Sequence, residues 1–260
     1  MSKKQISLSI VTALLFFIGC LLMKMPANVA LGWAAKKTNA FYPEHVQGTI
    51  WNASMARLAI PLAGTIVELG QVRWTVSQLA LLRGQLQVHV DAVNNPQKIS
   101  GDIVLGLNKV LKASNVEVRM DSALLAQIYP MPVRYTGFVE ADLASVVIKN
   151  QQLDELQGNL LLKKINVSFS ELFVLGDYAA RLTAVPARAG GEKVIQADIS
   201  DINAAVAVKG KAQIALKGGY FIDAVLRPQS NASPAIAQAL QQMFTPATDG
   251  SFQVRLGQAL

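Results

Sequence analysis

With one cysteine, Cys20, in 260 residues, the chain can form no internal disulfide and no zinc site built on cysteines. A folded domain in it must rely on its apolar core. Histidine is nearly as scarce, with only His45 and His89. A Ser-His-Asp triad would need one of them, yet His45 follows Pro43 in a loop and His89 alternates with Val88 and Val90 on the polar side of a strand. No G-x-S-x-G elbow, H-E-x-x-H pair, phosphate-binding loop or G-x-G-x-x-G turn occurs. The adjacent carboxylates Asp154 and Glu155 read as a solvated turn, and Asp198 and Asp201 lack further ligands at calcium-loop spacing. These absences speak against an enzyme and leave no catalytic, metal or cofactor-binding residue to assign.

Charge is sparse as well, at 16% of residues. Lys3, Lys4 and Lys24 account for three of the net +7, so residues 25–260 carry only +4, scattered and densest at Lys36-Lys37 and Lys163-Lys164. A nucleic-acid binder shows a basic stripe with aromatic platforms, and none is present. Mild attraction to anionic lipid headgroups fits better.

What the chain does have is apolar residues, 52% of the total. Only Ile6–Met23 is both apolar and uncharged for long enough to cross a bilayer, about 27 Å as a helix against a hydrocarbon core of about 30 Å. Lys24, Met25 and Pro26 follow, with no small-residue cleavage site nearby, which favours a retained anchor over a removed signal. Phe17-Ile18-Gly19-Cys20 has some likeness to a lipobox, but the apolar Leu21, Leu22 and Met23 after it favour an ordinary membrane-helix cysteine. The division expected is an anchor over 1–24, a juxtamembrane segment over 25–45 and a β-rich domain over 46–260 outside the cytoplasm.

In that domain apolar and polar residues alternate with period two. Gln85–Asp91, Val116–Met120 and Ser251–Leu256 are clear cases. Ala205–Leu216 and Tyr220–Leu226 read as a hairpin through Lys217-Gly218-Gly219. Gly48, Gly84, Gly101, Gly137, Gly158, Gly210 and Gly250 fall near the starts of such runs and mark turns or bulges. Helices are expected over Asp121–Tyr129 and Ser233–Phe244, with a short helical turn near Val76–Leu82. The fold class is therefore mainly β: an N-terminal transmembrane helix, then a long curved antiparallel meander with a few short helices.

Gly48-Thr49-Ile50-Trp51 resembles the opening of the type II secretion system protein N (GspN) family. Further motifs follow in that family's order: Arg73-Trp74, Leu82-Arg83-Gly84-Gln85-Leu86, Gly218-Gly219-Tyr220, Ala224-Val225-Leu226-Arg227-Pro228 and Asp249-Gly250-Ser251-Phe252. One departure is Asn52-Ala53, where the family often has glycine. The motif residues Gly48, Thr49, Trp51, Trp74, Gly84, Gly218, Tyr220, Pro228 and Gly250 read as structural, with the tryptophans packing against the sheet. The resemblance implies a single-pass protein of the cell inner membrane with its C-terminal domain in the periplasm. Its implied partners are other type II secretion subunits. The family is also similar to AsmA-like proteins, whose sheets form an apolar groove associated with lipid.

Overall fold

Strict alternation demands strands with one apolar and one polar face, and strands of that kind stabilise one another side by side. The computed structural model describes residues 17, 21, 23–38, 42–62, 65–122, 134–168, 171–187, 191–216 and 218–257. Within them lies one antiparallel sheet of 14 strands. These are β1 (Tyr42–Glu44), β2 (Gln47–Thr49), β3 (Asn52–Leu62), β4 (Thr65–Val76), β5 (Gln85–Asn94), β6 (Gln97–Gly106) and β7 (Val110–Asp121). They continue as β8 (Arg134–Lys149), β9 (Gln152–Ser168), β10 (Leu172–Pro186), β11 (Lys193–Ala204), β12 (Val206–Ile214), β13 (Tyr220–Pro228) and β14 (Phe252–Gly257). From β3 on, each strand pairs with the next in sequence, while β1 and β2 both pair with β3. Among the described residues the helices that accompany the sheet include α1 (Ala27–Thr38), α2 (Gln78–Leu81) and α3 (Pro234–Met243).

Helix α3 begins where expected. The Ser233 hydroxyl accepts the Ile236 N–H at 3.4 Å, Pro234 occupies the first turn, and Ile236 is buried. The β12–β13 hairpin also matches, its turn closed by Gly218 N–H to the Ala215 carbonyl at 3.1 Å. Asn150 and Gln151, at φ 49° and 64°, form the tight turn between β8 and β9, so the chain continues within the sheet there.

Other expectations change. Asp121 ends β7 opposite Phe138 and Ser122 after it is helical, while residues 123–129 of the expected helix lie outside the described residues. Gly101, Gly137, Gly158 and Gly210 lie inside strands. Gly101 and Gly137 sit at bulges, and Gly210 lets Ala224 approach so closely that a β-carbon would stand 2.4 Å from its Cα. Asp154 and Glu155 lie in β9, not in a turn, because Leu153 and Leu156 on either side pair with β8. The expected membrane span, Ile6–Met23, lies outside the described residues except for Phe17, Leu21 and Met23. Among the described residues no helix is long and apolar enough to cross a membrane. Within residues 25–45, α1 and β1 are part of the fold: Ala27 is fully buried, and Leu31 packs on Met55, Val72 and Ala92.

The sheet bends at β10. Its two neighbours, β9 and β11, approach within 8 Å at Cα, against roughly 9.5 Å for two strand spacings in a flat sheet. Register shifts flank Gly176, whose φ of 100° a side chain would strain and whose added β-carbon would meet the Asn203 carbonyl oxygen at 2.2 Å. Gly176→Ala should therefore destabilise the domain by roughly 2–3 kcal/mol. Gly32→Ala, in α1 with nothing within 4 Å of the added methyl, should stabilise by up to about 1 kcal/mol. Denaturant unfolding of the two variants checks the contrast.

Candidate functional site

Directly paired residues share a face of a sheet, so the register identifies what each face presents. One row crosses the sheet from β3 to β14 through Met55, Val72, Ala92, Ile99, Val118, Ala141, Leu160, Ala180, Ile199, Gly210, Ala224 and Val254. Every member is apolar. The neighbouring row on the opposite face runs Ser54, Arg73, Asp91, Ser100, Glu117, Asp142, Asn159, Arg181, Asp198, Lys211, Asp223 and Arg255, and every member is polar. Eleven strand spacings make the apolar row roughly 50 Å long.

The two ends of this apolar face are covered. At the first strands, Leu31 of α1 and Val46 pack on the cluster of Met55, Val72 and Ala92. At the last, Ile236 and Leu240 of α3 pack with Val206, Val208 and Leu226. Tyr178 secures that second end: it is buried, and its hydroxyl donates to the Val206 carbonyl at 3.2 Å. Burial, assisted by the facing Asp201 carboxylate, pushes the phenol up to about 12. Between the two covers, no described helix or second sheet lies over β6–β9. There Ile99, Val118, Ala141 and Leu160 are half-buried, Ile99 against the first cluster and Leu160 against Ala180, Ala197 and Ala212.

The polar face is laced by ion pairs. Lys98 meets Glu117 at 3.7 Å, and Glu140 takes Arg119 at 2.7 Å and Lys163 at 2.6 Å. Lys211 faces Asp198 at 3.8 Å and Arg255 faces Asp223 at 3.3 Å. The Lys163 hydrogen bond, with a smaller contribution from Arg119, holds the Glu140 carboxyl below its usual range. A concavity of about 810 Å³ opens here, lined in part by Lys98, Glu117, Arg119, Glu140 and Asp142. Its acids and bases largely satisfy one another, an arrangement that keeps this face wet and soluble. Among the described residues, no group of three or more His, Cys, Asp and Glu side chains is placed to hold a metal. Asp198 and Asp201 point to opposite faces of β11, as their pairing with Arg181 and Tyr178 shows.

The motif residues taken from the sequence do not converge on this face. They hold turns and strand ends. Gly48 and Thr49 close β2 against Ala53 and Asn52, while Ile50 and Trp51 make the turn into β3. Trp74 in β4 is half-buried, and its Nε1–H donates to the Ile50 carbonyl at 3.1 Å. Trp51 is half-buried too, and its carbonyl accepts the Val76 N–H at 2.7 Å. Gly84, Gly218 and Gly250 lie in turns, Tyr220 starts β13 and Pro228 ends it opposite Val206. Sequence reasoning missed the apolar row itself. The signal for it was the side-chain parity carried from strand to strand across each turn, which bulges interrupt.

Comparison with protein families matches residues 43–255 to the family described as type II secretion system (T2SS), protein N. A relative named type II secretion system protein N, from Aeromonas hydrophila, is 24% identical over 247 residues, covering 93% of this chain and 94% of its own length. No solved structure matches the chain.

The described histidine on the polar face belongs to a small network. His89 Nδ1 lies 2.8 Å from Asp102 and Nε2 lies 3.1 Å from Asp91, while Asn115 donates to Asp102 at 3.1 Å. The Asp102 hydrogen bond, opposed by slight desolvation and helped by Asp91, raises the imidazole above 6.5. The same bond, with that of Asn115, holds Asp102 below 3.8. The stabilisation due to His89 is complete below 6.5 and is lost as pH rises through its elevated pKa. That due to Asp102 is complete above 3.8 and is lost as pH falls through its depressed pKa. An NMR titration should place the His89 midpoint above 6.5, and Asp102→Asn should lower it. An identical midpoint in both proteins would show that the pair does not form.

Proposed function

The chain belongs to the type II secretion system protein N family, and from that premise we propose that it is a non-catalytic, membrane-anchored accessory component of the secretion machine. Its N-terminal run holds it in the inner membrane, and its sheet stands in the periplasm, where it supports export of folded proteins through contacts with other secretion subunits. The observation that carries this reading is the family match over residues 43–255, most of the sheet. A sheet of this kind also ends in β14, whose outer edge, among the described residues, is bridged at Phe252 by Pro246 and is open beyond it to a strand from a partner. An anchor would confine the domain to the membrane plane and raise its effective concentration beside other membrane subunits.

A second reading, contact with lipid acyl chains, is favoured by one observation. The apolar row runs unbroken across twelve strands and has no described layer over β6–β9. A docking domain with a closed core would not need such a face.

Deleting the protein distinguishes the two. In the first reading, secreted proteins accumulate folded in the periplasm, or other secretion subunits lose stability. Normal secretion with intact subunits and an altered outer-membrane lipid composition would instead establish the second.

A further inference from the structure

Four large apolar side chains stand out as exposed among the described residues: Leu107 at 88%, Leu82 at 85%, and Leu79 and Trp33 at 75%. Three of them gather at one end of the sheet. Leu79 belongs to α2, of which only Ala80 is buried, and Leu82 follows it directly. The chain then doubles back through Arg83 N–H to the Ala80 carbonyl at 3.0 Å and Gly84 N–H to the Leu81 carbonyl at 2.9 Å. Leu107, in the β6–β7 turn, lies against Gly84, where a β-carbon would come within 2.7 Å of its Cδ1. The leucines thus form one protruding, exposed group.

This is also the end at which the N-terminal run joins the sheet. Ile50 N–H donates to the Met25 carbonyl at 3.1 Å, and Pro26 bridges Thr49. The Trp51 carbonyl accepts Val76 N–H at 2.7 Å, and Ser77 N–H donates to the Gln87 carbonyl at 2.9 Å. Three links therefore tie Met25 and Pro26, just past the run Ile6–Met23, through residues 49–51 to Val76, and the fourth ties Ser77, which precedes α2, to β5. Charge is consistent with a membrane surface. Residues 77–90 and 103–116 contain no Asp or Glu, while Arg83, Lys109 and Lys112 stand exposed beside the leucines.

We infer that Leu79, Leu82 and Leu107 enter the headgroup boundary of the bilayer that holds the N-terminal run, giving the sheet a second attachment beside its anchor. The inference rests on the retained anchor of the proposed function. An anchor alone leaves a domain free to swing, whereas leucines in the acyl boundary, with cations at the level of anionic headgroups, fix which end of the sheet faces the membrane.

The test uses the full chain with Cys20→Ser, carrying Leu82→Cys, Leu107→Cys or, at the opposite end of the strands, Ser230→Cys as the single label site. Each is tagged with a bimane dye and reconstituted into vesicles of phosphatidylethanolamine and phosphatidylglycerol, with and without spin-labelled lipid. Labels at 82 and 107 should lose about half their emission or more to the spin-labelled lipid, and the label at 230 should keep nearly all of its own. Flotation of each sample with the vesicles reports the anchor separately. Flotation without quenching at 82 and 107, or with equal quenching at 230, overturns this inference and leaves the anchor standing. Failure to float removes the anchor reading, and this inference with it.

Discussion

Side-chain parity along a strand has period two, so a slip of one residue in any pairing would exchange the two faces of everything beyond it. Twelve successive strands keep their parity here, from Met55 in β3 to Val254 in β14. The bulges serve that constraint. In β7, Ala113 and Val118 belong on the apolar face but are separated by an odd number of steps, and the extra residue Asn115, at φ 52°, restores the parity. In β8 the shift between Leu143 and Ser145, and in β9 that around Asp154, play the same part, so Val146 and Leu153 return to the apolar side. The irregularities of the sheet are what let a long, unevenly spaced sequence present one continuous surface.

A sheet partitioned in this way has a particular energetic weakness. Its polar face is stable in water, since exposed ion pairs such as Lys98–Glu117 cost little to keep and little to lose. Among the described residues, its apolar face is covered at the ends, by α1 and α3. Alanines at 92, 180, 197, 212 and 224 keep much of that face low, and larger neighbours such as Leu160, Leu182 and Ile222 close partly over them. What stays accessible in the middle is apolar area whose removal from water would be favourable.

Much of this was legible in the sequence. Alternation in Gln85–Asp91 and Ser251–Leu256, the Gly218-Gly219 turn and the Ser233-Pro234 cap each act locally, so a local reading finds them. The family was legible too, because short motifs in fixed order carry information that no one of them carries alone. The placement of Gly101, Gly137, Gly158 and Gly210 inside strands was not, since a bulge or a close approach depends on the neighbouring strand. Asp154 and Glu155 misled for the same reason: two adjacent carboxylates look like a turn until Lys149 of β8 and Lys193 of β11 are seen to pair with Asp154. The apolar row was the least legible feature, because it exists only when eleven pairings are taken together.

The central claim is that the two faces differ in what they meet in the living cell, and neighbouring residues on one strand can test it. Val118 lies in the apolar row and Glu117 in the polar one, one residue apart in β7. A photo-reactive phenylalanine analogue placed singly at each position in the full chain, then activated in intact cells, reads out what each face touches. The account predicts adducts with lipid or a membrane subunit from position 118 and none of these from position 117. Equal adducts from both positions, or adducts from 117 alone, would contradict it.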